Sequence, residues 1–333
     1  MLLPVGLMML ALLLAVIGAI FYDSSHEIIV PINRTALEEK INQEPVSASA
    51  PMVASAERVR SIALKPAPDP RLIEVTPFGL LPRKAINGDK PFDIYSRPPD
   101  QPTGNSNLPK LSIVLIRSGI SESLTTEASV VLPPEVSLSI SPYATDVERQ
   151  IRDIRNRGHE IFLDVVSKAT DSYRDDRGPH ALDLLEKQGD RRERLLWMMS
   201  RFTGYAGLIG DIQEIDGRPT SLPSIIIQET RTRGLAYLEL PQSRHSAAAV
   251  EPEASNESSL QLPVVVLAGE RPDDLAEALK GLDAKFKKDT KLIAVIDIGP
   301  LALDSLKGWL TKHMSSEFDL VPLSVLMRKE GQG

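Results

Sequence analysis

Five side chains in this sequence are of the types that bind divalent metals or transfer protons. They are His159, Asp164, His180, Asp211 and Asp297. Carboxylate oxygens and imidazole nitrogens ligate divalent cations, and the same groups act as bases in hydrolysis. In a barrel of parallel strands the reacting groups lie at the carboxyl ends of the strands. Metal binding or base catalysis at such an edge is therefore the chemistry to consider.

The three aspartates stand near the carboxyl ends of strand-like runs. Asp164 lies in EIFLDVV, Asp211 follows YAGLIG, and Asp297 lies in VIDI. Each could also be an ordinary strand-end acid that is solvated or salt-bridged, and Arg117 or Lys168 would be a suitable neighbour for Asp164. Spacing assigns no partner to any of them.

The two histidines differ in their expected place. His159 follows Gly158 at the start of a strand, which favours a structural hydrogen-bonding role over metal ligation because barrel sites lie at the opposite strand ends. His180 follows Asp175 and Asp176 in a segment that reads as a loop over the carboxyl edge, where binding residues concentrate. Packing at a helix N-terminus is the alternative for His180.

Composition removes several classes of function. The chain has no cysteine, which excludes disulfides, thiolate metal sites and cysteine nucleophiles. Its net charge is -7, and its basic residues form no stripe, so no nucleic-acid partner is expected. We find no Gly-rich phosphate loop, HExxH motif or serine nucleophile elbow. Kinase, dinucleotide-binding and serine-hydrolase functions therefore lack support.

Short apolar runs alternate with helical patterns through the second two-thirds of the chain. The predicted strands are 111–116, 136–140, 160–166, 205–209, 235–240, 263–268, 291–298 and 318–324. Helices are predicted in TDVERQIRDIRNRG, DRRERLLWMMSRF and RPDDLAEALKGLDAKFKKD, while the polar stretch 241–262 reads as a mobile surface loop. The alternation indicates an α/β fold with a parallel sheet, either a barrel or a doubly wound sheet.

The amino terminus differs from the rest of the chain. Met1 to Tyr22 contain no charged side chain and are long enough to cross a bilayer as a helix. We expect an uncleaved signal anchor that leaves the body outside the cytoplasm, with a cleaved signal peptide as the alternative. A Pro-rich, largely disordered tether is expected over residues 23–109, with a segment near 76–98 docked on the domain surface, and the folded domain is expected over 110–328.

Several segments resemble the divergent polysaccharide deacetylases of bacterial envelopes. LPPEVSLSISPYA, RGHE, GPHAL and SRFTGY are similar to signatures of that family, and similarity extends from about Thr76 to Leu326. The resemblance implies a variant (β/α) barrel related to carbohydrate-ester deacetylases, preceded here by the transmembrane helix and the Pro-rich linker. It also implies chemistry in which acids hold a divalent metal that activates water against an acetamide.

This chain departs from the family pattern at positions that would carry that chemistry. An Asp-Asp pair typically ends the first strand of the family, and Ile116 and Arg117 stand there in this sequence. Lys168 falls where the family has a carboxylate, and the expected Asn-x-x-Gly motif is blurred in GDIQEIDG. A cation or an alkyl group cannot ligate a divalent metal.

Three hypotheses follow. The first is a degenerate member without a metal cofactor that binds an envelope glycan or a cell-wall protein partner, anchored in the bacterial inner membrane with its body facing the periplasm. The second is an active, zinc-dependent type of deacetylase that recruits Asp164, Asp211 or Asp297. The third is a periplasmic scaffold for a cell-wall enzyme complex.

Overall fold

The computed structural model describes residues 64–98, 108–168, 178–183, 187–211, 222–240, 247–250, 260–267, 272–286, 290–297, 299–314 and 316–328. Within these ranges, none of the helices has the length and apolar character needed to span a membrane. The predicted signal anchor at 1–22 and most of the predicted tether lie outside the described residues.

One curled sheet organises the folded chain. Its strands are β3 (Lys110–Ser118), β4 (Ser137–Ile140), β5 (Ile161–Val166), β6 (Gly207–Asp211), β7 (Ala236–Leu240), β8 (Ala247–Val250), β9 (Leu260–Leu262), β10 (Val264–Leu267), β11 (Lys291–Asp297) and β12 (Asp319–Leu320). The order is β10-β11-β3-β4-β5-β6-β7-β8-β9, with β12 added on β3. Pairing is parallel from β10 to β7. The predicted parallel α/β sheet is confirmed.

The helices connect these strands. They are α1 (Pro91–Tyr95), α2 (Glu122–Val131), α3 (Val147–Asn156), α4 (Gln188–Met199), α5 (Leu222–Arg233), α6 (Pro272–Phe286), α7 (Pro300–His313) and α8 (Leu323–Met327). One predicted strand is much shorter than expected. The segment 318–324 contributes only the two residues of β12 before α8 begins, because Pro322 cannot donate to a ladder and instead caps the helix.

The stretch 241–262, predicted to be a loop, contains β8 and β9. Both pair antiparallel, β8 with β7 and β9 with β8. Pro263 alone separates β9 from β10, so the two ends of the strand order are consecutive in the chain. The sheet therefore curls so that its first and last strands follow one another in the chain, which makes it a curled half-barrel and not an open doubly wound sheet.

The two faces of the sheet have different neighbours. One face carries residues such as Ile113 and Leu163, which pack on helices α2 to α7 in two outer clusters. The other face carries Val114, Phe162 and Val295, which pack against one another and against α1 and α8. This second set is the inner face. Alternation of side chains along a strand places Ile116, Asp164 and Asp297 on the same inner face.

The segment upstream of β3 is part of this core. It forms β1 (Ile73–Thr76), which pairs antiparallel with β2 (Gly79–Pro82), followed by α1. Phe92 and Tyr95 are 3% and 1% exposed. From sequence, this segment is expected to dock on the domain surface. The structure instead inserts its aromatic side chains into the inner cluster, because they cover apolar strand residues that would otherwise face water.

A buried polar network lies at the amino ends of β4 and β5. The Glu160 carboxylate accepts hydrogen bonds from the Arg97 backbone N–H (3.0 Å), the Ser137 hydroxyl (2.8 Å), and the Ser324 N–H and hydroxyl (3.0 and 2.6 Å). Ser324 belongs to α8 and Arg97 follows α1. The network therefore joins the segment after α1 and the carboxyl-terminal helix α8 to the amino ends of the strands, opposite to the candidate site.

Candidate functional site

The backbone turns sharply where β3 ends. Arg117 has a φ of +57°, and the register between β3 and β4 shifts between Leu115 and Ser118. The Ser118 hydroxyl donates to the Leu115 carbonyl at 3.1 Å, and the Gly119 N–H donates to the Thr125 hydroxyl at 2.7 Å. These bonds hold the turn, which directs the Arg117 N–H and its side chain toward neighbouring strand ends.

Arg117 forms an ion pair with Asp297. The Arg117 Nε donates to Asp297 Oδ1 at 2.9 Å, and Arg117 Nη2 pairs with Asp297 Oδ2. The pair forms because β11 lies beside β3 and Asp297 is aligned with Ile116. The side chains remain partly exposed, at 52% for Arg117 and 34% for Asp297. Asp297 is therefore already neutralised by a cation from the same sheet edge.

Asp164 is held by the same turn. Its Oδ2 accepts the Arg117 backbone N–H at 2.8 Å, and its Oδ1 accepts the Ser139 hydroxyl. The residue is 8% exposed. Arg117 thus connects two of the predicted site residues, Asp164 through its backbone and Asp297 through its guanidinium. We call the edge formed by Arg117, Asp164 and Asp297 the mouth.

The remaining predicted aspartate, Asp211, is placed by its backbone. It ends β6 in register with Val166 of β5 and Leu240 of β7, so its backbone is at the carboxyl edge of the sheet near the mouth. Asp175 and Asp176, which precede His180 in the sequence, lie outside the described residues.

Lys168 follows β5 and forms an ion pair with Asp183. Its Nζ donates to Asp183 Oδ2 at 2.8 Å, while its N–H donates to the Leu182 carbonyl at 2.9 Å. Leu182 also donates its N–H to the Val166 carbonyl at 2.8 Å. These contacts attach the segment 178–183, which contains His180, to the carboxyl end of β5.

His180 belongs to an aromatic cluster beside the mouth. Its ring stacks on Trp197 with 3.7 Å between centroids and 14° between planes, and the Tyr143 ring lies 5.6 Å from Trp197. The Arg201 guanidinium lies 5.1 Å from the Trp197 centroid. Partial desolvation and the cations Arg194 and Arg201 lower the pKa of His180 below its usual range.

His159 is remote from this edge. It is 1% exposed at the amino end of β5, with Nδ1 2.8 Å from the Val136 carbonyl and Nε2 3.0 Å from the Ser129 carbonyl. Burial lowers the pKa of His159, although the two carbonyl contacts partly oppose that effect. The structure therefore separates His159 from the other site candidates and gives it packing and hydrogen-bonding contacts.

The residues at the mouth do not fit a divalent metal. Ile116 offers no donor, Arg117 is a cation, and the carboxylates of Asp164 and Asp297 accept hydrogen bonds from Arg117 and Ser139. In the part of the chain that the structure describes, no three His, Cys, Asp or Glu side chains come together as a possible ligand set. A metal ion needs several anionic or neutral oxygen or nitrogen donors turned toward one point.

Sequence reasoning missed several residues that build this region. Ser139 could have been found, because it lies in the predicted strand VSLSI next to the carboxyl edge. Trp197 lies in a predicted helix but off its predicted apolar face, and Tyr143 and Arg201 carry no motif of their own. Their meeting depends on the packing of α4 beside the loops that follow β4 and β5.

These features define a class of α/β protein in which a curled, mostly parallel sheet places polar groups at the carboxyl ends of its strands. The sequence model for "divergent polysaccharide deacetylase" matches residues 114–327. The chain belongs to this family.

One solved structure superposes well enough to show the same fold. An uncharacterized protein from Agrobacterium tumefaciens C58 superposes with a TM-score of 0.61 at 22% identity, covering 74% of this chain and 99% of its own. The catalytic domain of a peptidoglycan N-acetylglucosamine deacetylase from Eubacterium rectale ATCC 33656 gives a lower TM-score of 0.40 at 8% identity, covering 67% and 92%. No functionally curated protein matches the sequence.

Proposed function

We propose that this chain is a glycan-binding member of the divergent polysaccharide deacetylase family that does not carry out metal-dependent deacetylation. The observation that carries the proposal is the position of Arg117. The family resemblance implies an acid at position 117. In this chain the Arg117 guanidinium instead neutralises Asp297, and the Arg117 N–H donates a hydrogen bond to Asp164. Without convergent acids the mouth lacks the means to hold a metal that polarises an acetamide.

Two observations support glycan binding: membership of the family, and the polar groups that the mouth retains at the strand ends. The mouth keeps polar groups at strand ends, and the adjoining loops and α4 carry aromatic groups; α/β barrels bind their ligands at this edge. We further propose that the body faces the periplasm, tethered to the bacterial inner membrane through Met1–Tyr22. The uncharged apolar length of that segment supports this placement.

The test uses the full-length chain, because residues 64–98 are part of the core. Metal content is measured after purification, Zn²⁺ and Mg²⁺ are titrated by calorimetry, and acetate release from chitooligosaccharides and peptidoglycan is followed. Binding to purified peptidoglycan is measured in parallel. We expect glycan binding without stoichiometric metal and without acetate release.

Other outcomes distinguish the alternatives. Stoichiometric metal together with acetate release would show an active deacetylase with recruited acids, and Asp164, Asp211 and Asp297 would then be substituted one at a time. A folded protein that binds neither metal nor glycan would instead favour a scaffold for other cell-wall proteins.

A further inference from the structure

The aromatic cluster beside the mouth is built as a rigid surface. Tyr143, His180, Trp197 and Arg201 form what we call the aromatic platform. Tyr143 follows β4, His180 follows β5, and Trp197 and Arg201 belong to α4 and the residues after it. All four are partly or fully exposed, so the platform faces solvent while its members contact one another.

Local contacts fix the geometry of the platform. The His180 N–H donates to the Tyr143 hydroxyl at 2.9 Å, and the Arg201 Nε donates to the Pro142 carbonyl at 3.3 Å. Gly178 has a φ of +91°, and a Cβ there would lie 2.5 Å from the Tyr143 ring. The chain before His180 therefore passes directly against the Tyr143 ring, and a larger residue at 178 would both displace that ring and strain the positive φ that glycine accepts.

The charge of Arg201 has no acidic counterpart in the described part of the chain. Several arginines of the domain are paired, such as Arg117 with Asp297, Arg149 with Glu122, and Arg192 with Glu229, whereas Arg152 on the exposed side of α3 is not paired with any described acid. Arg201 has its contacts with Pro142 and the Trp197 ring, and no described carboxylate lies within ion-pair distance. In a chain with net charge -7, an exposed cation held without an acid is suited to an anion from outside.

Rings beside a cation match one class of glycan. One face of a pyranose presents C–H groups that pack on an aromatic ring, while an arginine pairs strongly with a carboxylate. We propose that the aromatic platform binds a carboxylate-bearing sugar of the glycan, with the sugar on the exposed rings and the carboxylate on Arg201. This inference rests on the proposed glycan-binding function and names the ligand class within it.

The test compares an acidic and a neutral oligosaccharide on the full-length protein. Hyaluronan oligosaccharides carry a carboxylate on alternate sugars, whereas chitooligosaccharides of the same length carry none. Affinity is measured by calorimetry for the wild type, for Arg201→Gln, and for the matched control Arg152→Gln on the exposed side of α3. We expect tighter binding of the acidic ligand, with the preference decreasing as salt rises.

Arg201→Gln should weaken binding of the acidic ligand by at least about tenfold and change binding of the neutral ligand by less than about twofold. Arg152→Gln should leave both affinities unchanged. His180→Ala should lower the affinity for both ligands, because it removes an aromatic ring and leaves the Arg201 charge in place. Near-UV circular dichroism checks that each variant retains its packing.

Equal affinities for the two ligands, or an Arg201→Gln variant that behaves like Arg152→Gln, would overturn the acidic-sugar inference and leave glycan binding intact. Binding of neither ligand would count against both the platform and the proposed function. Should Arg201→Gln lose its packing, the salt dependence and ligand preference of the wild type still decide the matter.

Discussion

Arg117 occupies a backbone conformation that suits another residue type better. A φ of +57° lies in the left-handed region, which Asp and Asn enter more readily than a long side chain such as Arg. The family resemblance implies Asp at this position. The turn after β3 is therefore compatible with an acid there, and the change to Arg reverses the charge of the mouth without requiring a different backbone.

Introducing acids at this turn should create a metal-binding site. In the variant Ile116→Asp/Arg117→Asp, two carboxylates join Asp164 and Asp297 at one edge, where they repel one another unless a cation binds. We expect the metal-free variant to lose about 1–3 kcal/mol of unfolding free energy, and Zn²⁺ to restore stability. Urea unfolding with and without Zn²⁺ measures this.

Arg152→Asp is the matched control because it adds an acid on an exposed helix face away from the mouth. It should show no Zn²⁺-dependent stabilisation. If Zn²⁺ does not stabilise the double variant, acids at positions 116 and 117 are not sufficient to make this mouth a metal site.

His159 should make stability depend on mildly acidic pH. Burial lowers its pKa in the folded protein, so between that lowered pKa and the ordinary value of 6.5 the unfolded chain holds more protons. Stability should therefore fall as the pH decreases through this window. In His159→Gln the decrease between about pH 7 and pH 5 should be smaller, as measured by urea midpoints.

Ile154→Val serves as the comparison, because Ile154 is buried in the same helix region and carries no titratable group. It should lower stability by the same amount at pH 7 and pH 5, so that its pH dependence matches that of the wild type. If His159→Gln lost stability toward acidic pH as steeply as the wild type, protonation of His159 would not be the cause.

At the scale of elements, Arg155 of α3 attaches the upstream segment to the sheet. Its Nη1 donates to the carbonyls of Tyr95 and Gly204 at 3.0 Å each, and its Nη2 donates to the Lys65 carbonyl at 2.7 Å. Burial of this guanidinium lowers the pKa of Arg155 to about 10. One side chain therefore satisfies three carbonyls from separate parts of the chain.

Replacing Arg155 by Met should loosen the upstream segment before the rest of the domain. The three carbonyls lose their donor, which should reduce the unfolding free energy by about 2–4 kcal/mol. Amide hydrogen exchange should accelerate in β1, β2 and α1. Arg152→Met, one helical turn earlier and exposed, should change neither quantity, and equal effects of the two substitutions would argue against this role.

At the scale of the whole molecule, the proposed periplasmic location depends on the segment Met1–Tyr22. If Met1–Tyr22 is an uncleaved anchor, the full-length protein should remain with membranes after carbonate extraction. Mass spectrometry should then detect the N-terminal peptide that begins at Met1. Because the chain has no cysteine, Ser47→Cys gives a single label site in the predicted tether. A membrane-impermeant maleimide should modify it in cells with a permeabilised outer membrane.

Deleting Met1–Tyr22 should leave a cytosolic, unlabelled protein and serves as the control. A mature chain that begins after Tyr22 would show a cleaved signal peptide. Labelling only after the inner membrane is broken would place the body in the cytoplasm and remove the periplasmic assignment.

The sequence by itself determined the local elements and the family. Seven of the eight predicted strands lie at the predicted places, because apolar runs of that length must be buried on both faces of a parallel sheet. The departures at 116, 117 and 168 from the acids that the family resemblance implies could also be read from the sequence alone. Two predictions were wrong for local reasons. The strand predicted at 318–324 is short because of Pro322, and β8 and β9 were predicted as a loop because short strands in a polar stretch show no clear hydrophobic periodicity.

Only the tertiary structure decided which side chains meet. Arg117 contacts Asp297, 180 residues along the chain, because β11 inserts beside β3. Trp197 meets His180 and Tyr143 because α4 packs over loops from two different strands. Pairing across a sheet and packing between helices depend on strand order and crossover, and neither is encoded in the spacing of residues within one segment.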